Sequence, residues 1–329
     1  MTPPIADLVG PLRAGQRRAL ARAITLAEST LPQHRALAEA VLTACPPVTT
    51  SLRIGLSGVP GVGKSSFIER FGMMLVEAGH RVSVLAVDPS SPVTGGSILG
   101  DKTRMATLST HPHAFVRPTA AGATLGGVAR RTADTIQLVE AAGYDVVLVE
   151  TVGVGQSETA VHGLVDLFCV LLPPAGGDEL QGIKKGIIEL ADLLVVTKAD
   201  GDTAAAAGRA VADYRAALHL LRPGANGWVA PVLPVSALTG AGIAEVWAAM
   251  RDFAERMRAT GAFATRRSRQ TTSRLWQEVT DTVLDSIRTA PEVAASLTHV
   301  EAQVRDGTLH PAAAARGLLA LWRGVADAP

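Results

Sequence analysis

Cysteine is nearly absent. Cys45 and Cys169 are the two thiols among 329 residues, so no disulfide framework can be built and a reducing compartment is expected. Aromatic residues are scarce at 4%, while Ala and Gly are plentiful, which favours helices and tight turns over an all-β design. Neither sign of charge dominates. Lys and Arg total 31 against 30 for Asp and Glu, a net charge of +1, whereas a protein that grips nucleic acid through bulk charge is far more basic. Long apolar runs are missing as well. The longest, around Val165 to Pro174, is interrupted by Asp166 and is too short to cross a bilayer. Met1 to Gly15 lacks the basic-then-apolar pattern of a signal peptide, so a soluble, cytoplasmic protein is expected.

There is nonetheless ample material for a core. Apolar residues make up 47% and charged residues 19%, which excludes general disorder. The length suits one large domain or two smaller ones. From Arg17 to Val41 the chain is Ala-rich, and Leu20, Ile24 and Ala27 recur at helical spacing opposite Arg17, Arg18 and Arg22. Pro46-Pro47 ends this region. Short apolar runs then appear at Leu52–Leu56, Val82–Val87, Val146–Val149, Leu167–Leu172, Leu193–Val196 and Val229–Val235, with helix-length segments between most of them. Near-continuous Val/Ile/Leu strands alternating with helices predict a parallel sheet covered on both faces. Pro231 and Pro234 place the last run at a sheet edge.

Beyond Ala259 the composition changes. Arg256 to Arg274 holds six arginines and no acidic residue. Without aromatic interleaving beyond Phe263, the run reads as a linker and helix start against a partner subunit rather than an RNA surface. Trp276, Val279, Val283 and Ile287 then form a helical stripe that needs a cover, from the same chain or from a second subunit. The expected organisation is a helical N-terminal extension (1–50), an α/β nucleotide-binding domain (51–260) and a C-terminal helical arm (261–329).

The chemistry starts directly after the first strand. Gly58-Val59-Pro60-Gly61-Val62-Gly63-Lys64-Ser65, followed by Ser66, fits the G-x-x-x-x-G-K-[ST] phosphate-binding pattern in full. Glycines let the loop turn its N–H groups inward, Lys64 neutralises the β and γ phosphates, Ser65 ligates Mg²⁺, and the next helix presents its positive end. Base choice is read at Thr197-Lys198-Ala199-Asp200, close to the Asn-Lys-x-Asp element of GTPases. The Asp can accept two hydrogen bonds from guanine N1 and its 2-amino group, a pattern adenine lacks. Thr197 in place of Asn is a departure that weakens one supporting hydrogen bond. Ser236, Ala237 and Leu238 supply the loop that closes over the base. Asp88, Asp101 and Glu150 are carboxylates placed to serve Mg²⁺, and Gly153 can donate its N–H to the γ-phosphate. Ras-like enzymes orient the attacking water with a Gln after this glycine. Here that position is Val154 and the nearest amide is Gln156, so slow intrinsic hydrolysis, accelerated by a partner, is expected.

Gly58–Ser65, Val87-Asp88-Pro89-Ser90-Ser91, Gly95-Gly96-Ser97 to Met105, Glu150 to Glu158, and Gly176-Gly177-Asp178 through Lys184-Lys185-Gly186 together resemble the MeaB/ArgK family of P-loop GTPases. Ala19–Ser29 and the C-terminal helix share the likeness, which covers nearly the whole chain. The resemblance implies a P-loop NTPase fold of the SIMIBI type, α/β with a mostly parallel central sheet. It also implies a GTP-dependent chaperone of an adenosylcobalamin-dependent acyl-CoA mutase, chiefly methylmalonyl-CoA mutase, that gates cofactor loading and rescues the enzyme. A homodimer joined through the C-terminal arm is implied too, with GTP/GDP and Mg²⁺ as ligands. Asp178 to Lys185 become a third mobile segment reporting nucleotide state, with Lys184 its key residue; composition alone makes the paired lysines a solvated face.

Two other readings compete. A metallochaperone for a nickel or zinc enzyme wants more ligands than His111-Pro112-His113 and isolated Cys45 and Cys169. A kinase tied to basic amino-acid transport wants ATP, against which Asp200 argues.

Overall fold

The computed structural model describes residues 5–29, 31–87, 105–119, 125–151, 157–174, 185–219 and 227–324. Three helices come first: α1 (Ile5–Arg13), α2 (Arg17–Glu28) and α3 (Pro32–Ala44). The region from Arg17 to Val41, read as helical, is thus two helices, with α1 before them. Pro32 explains the break. It lacks an N–H, so it is tolerated in a helix's first turn, and it pushes Leu31 into an extended conformation (φ −70°, ψ 129°).

Strands and helices then alternate. In chain order they are β1 (Leu52–Gly58), α4 (Lys64–Glu77), β2 (Val82–Val87), α5 (Ala106–Thr110), β3 (Ala114–Thr119), α6 (Leu125–Ala141) and β4 (Val146–Thr151). They continue with α7 (Ser157–His162), β5 (Leu167–Leu172), α8 (Lys185–Leu190), β6 (Leu193–Val196), α9 (Ala204–His219), β7 (Val232–Pro234) and α10 (Ile243–Ala259). All paired strands are parallel, in the order β3-β2-β4-β1-β5-β6-β7. β1 therefore lies between β4 and β5, and the loop after it opens where neighbouring crossovers diverge, the usual place for a ligand in such sheets.

Side-chain alternation explains the two faces. Phe168, Val170 and Leu172 of β5 join Val147 and Val149 of β4 in one core, with α1 to α3, α6 and α9. Leu167, Cys169 and Leu171 join Val146 and Leu148 in the other, with Phe67 and Phe71 of α4 and Val246, Met250 and Phe253 of α10. Each of these large apolar side chains contributes roughly 1.5–3 kcal/mol by leaving water. Cys169 is a packed residue of the second core, and burial pushes its thiol pKa up. Cys45 is also buried, and burial raises it against the opposing pull of Arg13.

The sheet edges hold one agreement and one miss. β7, with Pro234, is an edge strand as Pro231 and Pro234 predict, though shorter than the run from Val229. The opposite edge, β3, is not among the predicted strands. Its sequence, Ala-Phe-Val-Arg-Pro-Thr, carries a charge and a proline that only an edge tolerates.

The chain divides into two compact units, 1–270 and 271–329, with the boundary inside α11 (Ala262–Thr289). The second unit contains the rest of α11, then α12 (Pro291–Arg305) packed on α13 (Pro311–Arg323). On α11, Leu275, Trp276, Val279, Val283 and Leu284 are exposed.

The arginine run needs a correction. Arg266 and Arg267, expected to face a partner subunit, are taken up by their own chain. Arg266 grips Asp192 with two bonds of 2.9 and 3.1 Å, and Arg267 grips Asp166 with two of 2.8 and 2.6 Å. Arg53 holds Glu140 in the same fork-to-fork way at 2.7 and 2.8 Å. Asp166 and Asp192 are buried immediately before β5 and β6, and a buried carboxylate is tolerable only with a counter-charge and hydrogen bonds. These pairs lie at the N-terminal ends of the strands, away from the loop that follows β1.

Candidate nucleotide site

β1 ends at Gly58, whose missing side chain is required: a Cβ there would lie 2.5 Å from the Leu171 carbonyl oxygen. The chain then turns through Val59 to Val62, and α4 begins at Lys64. Gly63 stands just before the helix with φ 100°, a left-handed conformation that glycine adopts without a Cβ penalty. The helix thus begins directly after the loop. A helix N-terminus behind a glycine loop presents unsatisfied N–H groups and the positive end of the dipole, which suits a phosphate chain. Lys64 is almost fully buried, and its Nζ donates to the carbonyls of Gly58 at 2.7 Å and Val59 at 3.3 Å. The ammonium is thereby held at the root of the loop, where a phosphate oxygen could compete for it with stronger, charge-assisted bonds.

The segment after β6 is bonded directly to this loop. The Thr197 hydroxyl, buried, donates to the Val62 carbonyl at 2.6 Å, with the Leu172 carbonyl at 3.2 Å. Lys198 Nζ donates to the Gly61 carbonyl at 2.9 Å. Lys198 has φ 53°, the one positive value found for a non-glycine residue among the described residues. That local strain turns its stem back over the loop. Thr197 therefore supplies a loop-bracing hydrogen bond at the position where the guanine motif carries Asn.

Asp200 is half-buried and is oriented from the next loop. The Ser236 hydroxyl donates to Asp200 Oδ2, and Ser236 in turn accepts from the Thr239 N–H at 3.0 Å. Ala199 N–H donates to the Val235 carbonyl at 2.9 Å, which ties the two loops together. A carboxylate steered in this way can accept from two adjacent N–H donors, the pattern guanine presents. Ala237 is partly covered, and Leu238 is 84% exposed. Thr203 is absent from the sequence-based set. Its hydroxyl donates to the carbonyls of Lys198 at 2.5 Å and Asp200 at 2.8 Å, closing the turn between them. A Thr hydroxyl can bond back to a carbonyl a few residues earlier, so the only sequence signal was a local one.

Of the expected metal and catalytic residues, Lys64, Ser65 and Glu150 fall within the described part. Ser65 is the second residue of α4, and Glu150 is buried near the end of β4, in register with Leu56 of β1. A hydroxyl and a carboxylate are both hard oxygen donors of the kind Mg²⁺ takes. Such an ion would neutralise phosphate charge. Asp88, Asp101, Gly153 and Lys184 lie outside the described residues.

The histidine pair reads as a turn: the His113 N–H donates to His111 Nδ1 at 3.1 Å, and the rings meet edge to face at 5.7 Å. Among the described residues, no three His, Cys, Asp or Glu side chains are grouped to hold a metal ion. The metal-delivery reading gains no site there.

A phosphate loop braced by a Thr-Lys-x-Asp segment is the architecture of a guanine-nucleotide protein, and a family model now specifies which. The model for the methylmalonyl-CoA mutase-associated GTPase MeaB matches residues 20–292. This chain belongs to the MeaB family. As a MeaB GTPase it binds guanine nucleotide and hydrolyses GTP to GDP and phosphate. This chain is 56% identical to a putative GTPase of Caulobacter vibrioides over 97% of its length and 98% of the relative's. It is 49% identical to the mitochondrial methylmalonic aciduria type A homolog of Mus musculus, covering 94% of this chain and 77% of that one. A crystal structure of a LAO/AO transport system kinase superposes with a TM-score of 0.74 at 38% identity, covering 97% of both chains. No helix among the described residues is long and apolar enough to cross a membrane.

Proposed function

We propose that this MeaB protein is a GTP-hydrolysing chaperone of an adenosylcobalamin-dependent acyl-CoA mutase, with methylmalonyl-CoA mutase as the client. It gates cofactor loading and protects or reactivates the mutase. The observation that carries the nucleotide half is the direct bonding of Thr197 and Lys198 to the phosphate loop, beside an Asp200 steered by Ser236. The base-reading segment is thereby tied to the phosphate loop through the Gly61 and Val62 carbonyls. The client half is supported by the family's description and by the mouse relative's name.

In this reading Gly58 to Ser66 cradle the phosphates, and Ser65, Asp88, Asp101 and Glu150 hold Mg²⁺ directly or through water. Lys64 and Gly153 meet the γ-phosphate. Catalysis then comes mainly from positioning and charge neutralisation. With Val154 where a water-orienting Gln would stand, turnover is slow until the client supplies what is missing. Lys184 belongs to the segment that reports nucleotide state to the client. The protein works in the cytoplasm as a homodimer, and the exposed Leu275, Trp276, Val279, Val283 and Leu284 are the apolar face available for pairing.

The test is complex formation and rescue. Sedimentation of the protein with purified methylmalonyl-CoA mutase should give a complex whose affinity differs between GDP and a non-hydrolysable GTP analogue. Addition of GTP should restore activity to mutase carrying damaged cofactor. No complex with any nucleotide, together with no rescue, would contradict the chaperone role.

A further inference from the structure

We propose that Thr151 is a positioning residue for GTP hydrolysis: its hydroxyl, bonded to Ser57, ties the end of β4 to the root of the phosphate loop and so fixes Glu150 beside it. Thr151 Oγ1 donates to Ser57 Oγ at 3.0 Å, and both side chains are buried.

The register of the sheet shows why a tie is needed at that point. β1 and β4 run side by side from Leu52↔Val146 to Leu56↔Glu150. Past Leu56, β1 keeps step with β5 instead, through Ser57↔Val170 and Gly58↔Leu171. On its other side β4 keeps step with β2 as far as Val87↔Thr151. The end of β4 is thus held by β2 but parts from β1 just where β1 becomes the phosphate loop. The two hydroxyls span that parting.

The choice of residue points the same way. At Val147 and Val149 the β4 interior is filled by valine, and a valine would fill position 151 with the same shape. A buried hydroxyl costs free energy unless it is bonded, and the bond to Ser57 is what makes the oxygen tolerable here. Its neighbour Glu150 is the carboxylate given to Mg²⁺ above, and the proposal rests on that reading. A small shift of a group that orients a metal-binding carboxylate is felt at the reacting atoms, although Thr151 itself touches none of them.

The test uses the full-length protein with Thr151→Val, Thr151→Ser, the double variant Ser57→Ala/Thr151→Val, and Glu150→Gln. The double variant removes both hydroxyls and strands neither. Three quantities are read: affinity for fluorescent GDP in EDTA, the gain in that affinity on adding Mg²⁺, and kcat against KM for GTP. Thr151→Val and the double variant should keep the EDTA affinity and KM, and should lose about tenfold in kcat with a matching loss of the Mg²⁺ gain. Thr151→Ser should restore both. A double variant with wild-type kcat and Mg²⁺ gain would overturn the proposal, as would a Thr151→Ser no better than Thr151→Val. An intact Mg²⁺ gain in Glu150→Gln would overturn the metal reading itself, and the proposal with it.

Discussion

Replacing Arg267 by Ala removes a guanidinium that serves three partners at once. It bonds Asp166 at 2.8 and 2.6 Å, the Val48 carbonyl at 2.6 Å and the Ser51 carbonyl at 3.0 Å. It also lies 4.7 Å from the centroid of the Phe263 ring. The Asp166 side chain is 1% exposed, so the variant leaves its charge buried with no fork-shaped partner. Stranding one member of a buried pair typically costs about 3–5 kcal/mol. Asp166 keeps the Arg53 backbone N–H at 2.9 Å, which offsets part of the loss and sets the expectation near the lower bound, about 3 kcal/mol. At about 2–4 °C per kcal/mol for a unit of this size, the midpoint of thermal unfolding should fall by about 6–12 °C. Arg267→Lys keeps the charge without the fork and should lose about half as much. Thermal and urea unfolding followed by circular dichroism would measure both. A drop below about 1 °C for Arg267→Ala would refute the claim that this pair anchors the first turns of α11.

Other consequences concern the nucleotide site and the thiols. Lys64→Ala should weaken GTP binding by about two to three orders of magnitude, the worth of two charge-assisted bonds, and unchanged affinity in a fluorescence titration would refute the assigned phosphate site. Asp200→Asn should cut discrimination against xanthine nucleotides by at least about a hundredfold, because its amide no longer offers two acceptors to guanine. Competition binding with GTP and XTP measures this, and a retained strict guanine preference would count against its role. Burial raises the pKa of both Cys45 and Cys169, so neither thiol should react with iodoacetamide at pH 8 in the native protein. Mass spectrometry should find both alkylated after denaturation, and labelling of either in the native state would show that its core opens.

What sequence could reveal followed the range of each signal. β2, β5 and β6 were legible in full because each is buried on both faces and therefore nearly continuous in Val, Ile and Leu. The phosphate loop was legible because its chemistry is local: eight consecutive residues carry the turn, the ammonium and the metal hydroxyl. β3 was hidden because an edge strand may carry Arg117 and Pro118, and nothing in six residues says that a sheet edge lies beside them. The role of Thr197 was hidden for a similar reason, since its acceptor at Val62 is 135 residues away. Arg266 and Arg267 were misjudged because their partners, Asp192 and Asp166, become neighbours only when β5 and β6 take their places in the sheet. A run of arginines states that counter-charges are needed, and only the fold states which carboxylates answer.

The most direct test of the central claim is GTP turnover by the purified protein, alone and with methylmalonyl-CoA mutase. Slow hydrolysis alone and strong acceleration by the mutase, abolished in Lys64→Ala, is the predicted result. Hydrolysis that proceeds at the same rate with and without the mutase would leave a GTPase but contradict a chaperone whose cycle is driven by its client.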